Sequence, residues 1–313
     1  MPRQIVPMHR TAVVPCATPP RATRRLALAL APCAVTTAPR AWAARETAST
    51  MTPGTIRKQI FNDARGRATT YPPWMLGEWT CATTFVDASF PRRDVDARAL
   101  ARVPDTPGFR ALSVARVPDV GREGTIEHRV RFVRVDGKTR EDVGFNLMEI
   151  IDAYVGADAV EAVTTDGDDR TTIRLKPRAS PNAERIELFT NAREIACGGD
   201  AFYVRESFRQ VSLGYGTEYG NARVAPTDYE HRWTYTPLPD VPGGAVDETN
   251  VNKVHVKLVT AAYVQGQDAL RLTASSNPRG APVPKLGDAA GLAFEPVIVY
   301  THVSLLERVG CVP

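Results

Sequence analysis

The sequence predicts a mainly β chain, folded as an antiparallel barrel or as a two-sheet sandwich, with one helix near residues 140–155. Three observations predict it. Stretches of strict apolar and polar alternation recur from Trp79 to Val309, Gly, Pro and Asp punctuate them, and a single segment changes its period from two to three and four. Nine or so half-buried strands in succession argue for antiparallel closure or stacking.

In chain order, residues 1–43 are read as a cleavable leader. They hold six arginines and no lysine, aspartate or glutamate, and the first acidic residue is Glu46. Such a stretch, rich in Arg, Ala, Thr and Pro, has the composition of an organelle transit peptide. Arg24 and Arg25 then precede a short apolar run, Leu26 to Val35, too short to span a bilayer, and small residues Ala41 and Ala43 set a cut before Ala44. The order of transit segment and then twin-arginine signal resembles the bipartite presequence of thylakoid lumen proteins, and implies a chloroplast, thylakoid lumen address. A bacterial twin-arginine signal with a long first region is the alternative.

The leader also accounts for the charge. The chain carries 39 basic and 35 acidic residues, and six of the basic ones lie in residues 1–43, so the remainder has a net charge of −2. A nucleic-acid partner loses its main support. No later segment approaches transmembrane length without charge.

Residues 44–70 read as a polar arm or linker, and residues 71–313 as one β-rich domain. The alternation is clearest in "TIEHRVRFVRV", where Ile126, His128, Val130 and Phe132 share one face and Glu127, Arg129 and Arg131 the other, before an Asp136-Gly137 turn. Similar runs are "WTCATTFV", "TTIRLKP", "RIELFT", "AFYVRESFRQVSL", "YEHRWTYTP", "VHVKLVTAAYV", "ALRLTAS" and "PVIVYTHVSLLERV". The exception is "REDVGFNLMEIIDAYVG", whose Val143, Leu147, Ile150, Ile151 and Tyr154 fall at helical spacing, with Gly156 placed to end the helix.

The segment "YPPWMLGEWT" leads through a short turn into Gly77-x-Trp79 at the start of the first strand, and "VSLLERVG" puts Arg308 on the last. This resembles the lipocalin and calycin signature, which implies a barrel whose end is closed by Gly77, Trp79 and Arg308, the arginine lying over the indole. The helix, however, lies mid-chain and not before the last strand. A second resemblance covers most of residues 71–309. "YPPWMLGEWT", "IEHRVRFVRV", "EDVGFNLMEIIDAYVG", "NAREIACGG", "FYVRESFRQV" and "VYTHVSLLERV" come in the same order as in an uncharacterised family of cyanobacterial and plastid proteins with a domain-of-unknown-function label. It implies a plastid address and no chemistry.

Chemical motifs are scarce. Gly-x-Ser-x-Gly, His-Glu-x-x-His and Cys-x-x-Cys are absent. "GYGTEYG" reads as a hairpin connection, and Asp166, Asp168 and Asp169 as a turn, because Pro177 stands where a calcium loop needs its glutamate. His128, His231, His255 and His302 all fall in strands as ordinary sheet positions, so no metal site and no cofactor is expected. With Trp79 opposite Arg308, Cys81 and Cys311 are five residues apart in register, about 16 Å at about 3.3 Å per residue, so any disulfide involves Cys197, with Cys81 its expected partner.

The candidate binding residues are Tyr229, His231, Trp233 and Tyr235, which share one face of a strand, together with Arg205. Pointing into a barrel they form a ligand wall with polar tips; pointing between sheets they are core. The leading expectation is a non-catalytic lumenal protein that binds an apolar or amphipathic small molecule or assists a thylakoid membrane complex. The alternative is a lipid- or carotenoid-modifying enzyme using Glu206, Glu230 or His231.

Overall fold

The computed structural model describes residues 68–91, 106–198, 200–216, 222–240, 251–263 and 295–309. Their strands are β1 (Gly77–Ser89), β2 (Thr125–Val135), β3 (Lys138–Glu141), β4 (Val160–Asp166), β5 (Arg170–Leu175), β6 (Arg185–Gly198), β7 (Ala201–Gly216), β8 (Ala222–Leu238), β9 (Lys253–Tyr263) and β10 (Ile298–Arg308), with one helix, α1 (Val143–Val155), between β3 and β4. All ten strands join in a single antiparallel sheet, order β3-β2-β1-β10-β9-β8-β7-β6-β5-β4, curled into a half-barrel. The two-sheet alternative does not form among the described strands. "ALRLTAS" lies outside the described residues, as do the leader and nearly all of the arm.

This order has a simple logic. The first and last strands pair, with Trp79 opposite Arg308, so the two edges of the sheet are β3 and β4, consecutive in the chain. Helix α1 joins them and packs on β2 and β4. Its start is fixed by Asp142, whose side chain accepts from the Phe145 amide at 3.2 Å, and its end by Gly156 at φ +150°. Leu147, Ile150, Ile151 and Tyr154 face the sheet interior and are buried. Arg140 of β3 reaches Asp168 in the β4–β5 turn at 3.6 Å, a second tie between the edges. Asp168 also accepts the Ala68 amide at 3.1 Å, so this turn is a docking point for the incoming chain.

The concave face carries the core in two halves. Tyr71, Met75, Trp79, Phe132, Phe202 and Leu306 pack at one end, and Ile151, Ile173, Ile186, Phe208, Tyr229 and Tyr300 at the other; Trp233 packs against both. Register slips at Phe85/Asp87 in β1 and Thr190/Ala192 in β6 bend the long strands, as bulges do. The Asp136-Gly137 turn has both residues at positive φ, 50° and 73°, matching the two-residue hairpin expected there.

A segment without regular structure, residues 106–124, is nevertheless buried: Leu112, Val114, Ala115 and Val117 are 2% exposed or less. Buried irregular backbone needs partners for its amides and carbonyls, and inward-facing side chains supply them. Gln210 accepts from the Ala115 amide at 3.0 Å and donates to the Leu112 carbonyl at 2.6 Å. Thr227 donates to the Ser113 carbonyl at 3.1 Å. The segment therefore plugs the interior of the half-barrel.

Candidate ligand cavity

Period two on β8 sends Tyr229, His231, Trp233 and Tyr235 to one face, and the β7–β8 register sets them opposite Phe208, Glu206, Val204 and Phe202. That face is the concave one. The rings form a continuous ladder, with Tyr229–His231 and His231–Trp233 centroids each 4.9 Å apart. Tyr229 and His231 end in filled core. Trp233 and Tyr235 line a cavity of about 110 Å³.

Arg205 does not join them. Its neighbours across β8 and β6 are Arg232 and Glu194, on the convex face, where it donates to Glu230 at 2.8 and 3.1 Å. Arg232 donates to the same carboxylate at 2.6 Å. The paired guanidiniums thus satisfy Glu230, one of the acid/base candidates, on the far side of the sheet from the cavity. Glu206 does face inward, but it accepts from Arg193 at 2.6 Å and from Thr69 at 3.1 Å.

Gly77, Trp79 and Arg308 meet at one end of the sheet. The Arg308 guanidinium carbon lies 4.2 Å from the centre of the Trp79 ring, and its nitrogens donate to the carbonyls of Leu76, Trp74 and Val251 at 2.7, 2.7 and 2.9 Å. Trp79 Nε1 donates to the Met75 carbonyl at 2.8 Å. Gly77 sits at φ +125°, and a Cβ there would come within 2.8 Å of Arg308 Nη1, so two separate constraints require glycine.

The polar side of the cavity comes from residues that sequence reading did not single out as a site. Arg116 arrives from the plug, His128 from β2, Asn146 from α1 and Cys81 from β1; the remaining walls are mainly aliphatic and aromatic side chains of β2, α1, β9 and β10. Arg116 Nη1 donates to both oxygens of Glu141, at 3.0 and 3.3 Å, and lies 5.4 Å from the Phe208 ring. Arg116 Nε and His128 Nδ1 are buried and have no hydrogen-bond partner in the protein.

Burial decides the charge states. It opposes charge on Arg116, but the carboxylates of Glu141 and Glu206 outweigh it and raise the guanidinium pKa. It pushes the Cys81 thiol up to about 11, against hydrogen bonds from Thr83 and Ser304, and pulls His128 down to about 4, against the Ile126 backbone and Glu149. Cys81 and His128 are direct cross-strand neighbours, yet these shifts keep a neutral thiol beside a neutral imidazole, the reverse of an activated thiolate–imidazolium pair. Deeper in, burial also holds His302 at about 4 and His231 well below the usual range, the latter with help from Arg116 and His302.

Cys81 is a buried thiol 3.5 Å from Thr83 Oγ1. The Cys81–Cys197 disulfide is not formed, and Cys311 lies outside the described residues. Among the described residues no three His, Cys, Asp or Glu side chains converge on a metal position, and no helix is long and apolar enough to cross a membrane.

The model of a family described as Domain of unknown function (DUF6816) matches residues 65–308. No curated protein matches the chain.

Proposed function

The chain belongs to that family of unknown function, DUF6816, and from this premise we propose that it is a non-catalytic binding protein that holds a small, partly apolar molecule inside the curled sheet. The observation that carries the proposal is the cavity beneath α1 and the plug, where Arg116, paired with Glu141, shares the lining with His128, Asn146 and the apolar side chains of Val130, Leu147, Ile150, Val256 and Leu306. At about 110 Å³ the space is well below the 300 Å³ or so of drug-sized pockets. A whole pigment or lipid is therefore excluded from it as it stands, and the ligand is a small molecule or the end group of a longer one.

The thylakoid lumen is the proposed compartment, on the composition of residues 1–43 alone. Import of a reporter fused to those residues, and a mature N-terminus at Ala44, are the expected results; a reporter that stays in the stroma or cytosol would remove the address without touching the binding proposal.

The test of binding is a cavity-filling variant. Val130 lines the cavity, and Val130→Phe should abolish ligand-induced stabilisation while leaving the unliganded protein folded. A ligand at 100 times its Kd raises stability by about 2.7 kcal/mol, an increment visible in thermal unfolding. Stabilisation that survives unchanged in Val130→Phe places binding elsewhere and sinks the proposal.

A further inference from the structure

We propose that residues 68–71 are the door of this cavity: a strap across the open side of the half-barrel that swings out about Pro72 and Pro73 to admit a ligand. The inference rests on the binding proposal above. The open side lies between the sheet edges β3 and β4, and the strap is tied to both flanks of the gap. The Tyr71 amide donates to the Thr139 carbonyl of β3 at 2.9 Å, the Ala68 amide to Asp168 in the β4–β5 turn at 3.1 Å, and the Thr69 hydroxyl to Glu206 of β7 at 3.1 Å.

The Tyr71 ring does the closing. It is buried and packs on Phe132 and Tyr235, with centroids 4.8 and 5.8 Å away, and both of those rings line the cavity. A strap that leaves takes Tyr71 with it and uncovers the corner that Phe132 and Tyr235 form.

The strap, and not α1 or the plug, is the part built to move. It meets β3 through a single bridge between Tyr71 and Thr139, without a ladder. Helix α1 buries Leu147, Ile150, Ile151 and Tyr154, and the plug is held from two strands by Gln210 and Thr227. The family match begins at residue 65, so the strap comes first in the matched region and can peel from one end without a second hinge; end segments with few ties open before the core does. Past Pro73 the chain is pinned, because Arg308 holds the carbonyls of Trp74 and Leu76 at 2.7 Å each. Two prolines with fixed φ join the pinned part to the strap, so the motion is that of a short, stiff lever.

Cys81 reports this opening with no ligand present. It packs in the same cluster as Tyr71 and lines the cavity. The full-length protein is treated at pH 8 with methyl methanethiosulfonate, a small uncharged thiol reagent, in urea concentrations below the unfolding transition. Modification of the Cys81 peptide is timed by mass spectrometry, and exchange of the Tyr71 amide is followed by NMR. Modification of the wild type should be slow and nearly independent of urea, because swinging the strap exposes little surface. Thr69→Val, which removes the hydroxyl and leaves Glu206 with Arg193, should speed both reactions by about fivefold, the order of one hydrogen bond. Thr69→Ser should keep the wild-type rates, and so should Gln210→Leu, which loosens the plug. Unchanged rates in Thr69→Val, or rates that rise only in Gln210→Leu, overturn the assignment of the door. A urea dependence as steep as that of global unfolding overturns it too, since Cys81 is then reached only when the whole sheet opens. Each of these results leaves the binding proposal standing on its own test, Val130→Phe.

Discussion

Replacing His302 with leucine should make the protein less sensitive to acid, by an amount that follows from its surroundings. His302 is fully buried on β10, between Phe85 and Tyr300, and neither ring nitrogen has a hydrogen-bond partner in the protein. Burial lowers its pKa to about 4, against about 6.5 in the unfolded chain. The native state thus prefers the neutral ring, so the stability it supports is present above pH 6.5 and is lost as pH falls toward 4. Integrated from pH 7 to pH 5, the loss is about 1.8 kcal/mol for this residue. His128, with the same depressed value, adds a similar loss. Asp119 works the other way: burial, opposed by Arg122, raises its pKa to about 6, so protonation of the native state returns about 1.3 kcal/mol over the same interval. Urea unfolding followed by tryptophan fluorescence at pH 7, 6 and 5 measures the difference directly. His302→Leu, close in volume and free of unmatched nitrogens, should lose about 1.8 kcal/mol less than the wild type between pH 7 and 5. Equal losses in the two proteins would refute the reasoning, since the ring would then titrate alike in the folded and unfolded states.

Arg308→Leu removes a charged donor from three carbonyls and should cost about 3–5 kcal/mol, whereas Arg308→Lys, which cannot span all three, should fall between; thermal unfolding ranks them. Gly77→Ala should cost about 1–3 kcal/mol through its positive φ and its approach to Arg308, and it should cost less, though not nothing, once Arg308 has been replaced by leucine, since the contact is then gone while the φ strain stays. Gln210→Leu strips the plug of two backbone partners, so amide exchange at Leu112 to Val117 should quicken while exchange in β9 and β10 holds; uniform quickening would mean the whole sheet has loosened. Cys81, buried with its thiol pKa near 11, should resist a disulfide reagent at pH 8 in the native protein and react in urea, as read by peptide mass spectrometry.

Part of this structure was legible in the residues. The alternation of β2 gave the inward set Ile126, His128, Val130 and Phe132, because one wet face and one dry face force that pattern. The three-and-four spacing of α1 and its terminal glycine did the same for the helix. Gly77, Trp79 and Arg308 pointed to a meeting of the first and last strands, and they pair there in register. The edge strands were not legible. "KTRE" of β3 has four polar side chains, and "VEAVTTD" of β4 is mostly half-exposed or exposed, so neither carries a two-faced signature. Arg205 was misgrouped with the β8 rings for a different reason: alternation within β7 separates 205 from 206 but does not say which is inside, and only the pairing with β8 decides it. Arg116 had no signal at all. It lies in a segment without period, and its place depends on contacts with Glu141 and on Gln210, which is 95 positions from the Ala115 amide it holds.

The position of β10 between β1 and β9 also sets a schedule. Without it the sheet is two pieces, β3-β2-β1 and β9 through β4, and the contact that seals them, Arg308 to Leu76, closes a loop of 232 residues. Ribosomes add about 5–20 residues per second, so roughly ten seconds to three-quarters of a minute separate the emergence of the two sides of the seam. Through that interval β1 and β9 each offer an unpaired edge to any other chain nearby. The nascent protein is most open to mispairing until its last strand arrives, and a truncation that spares every cavity residue before β10 would leave it in that state permanently.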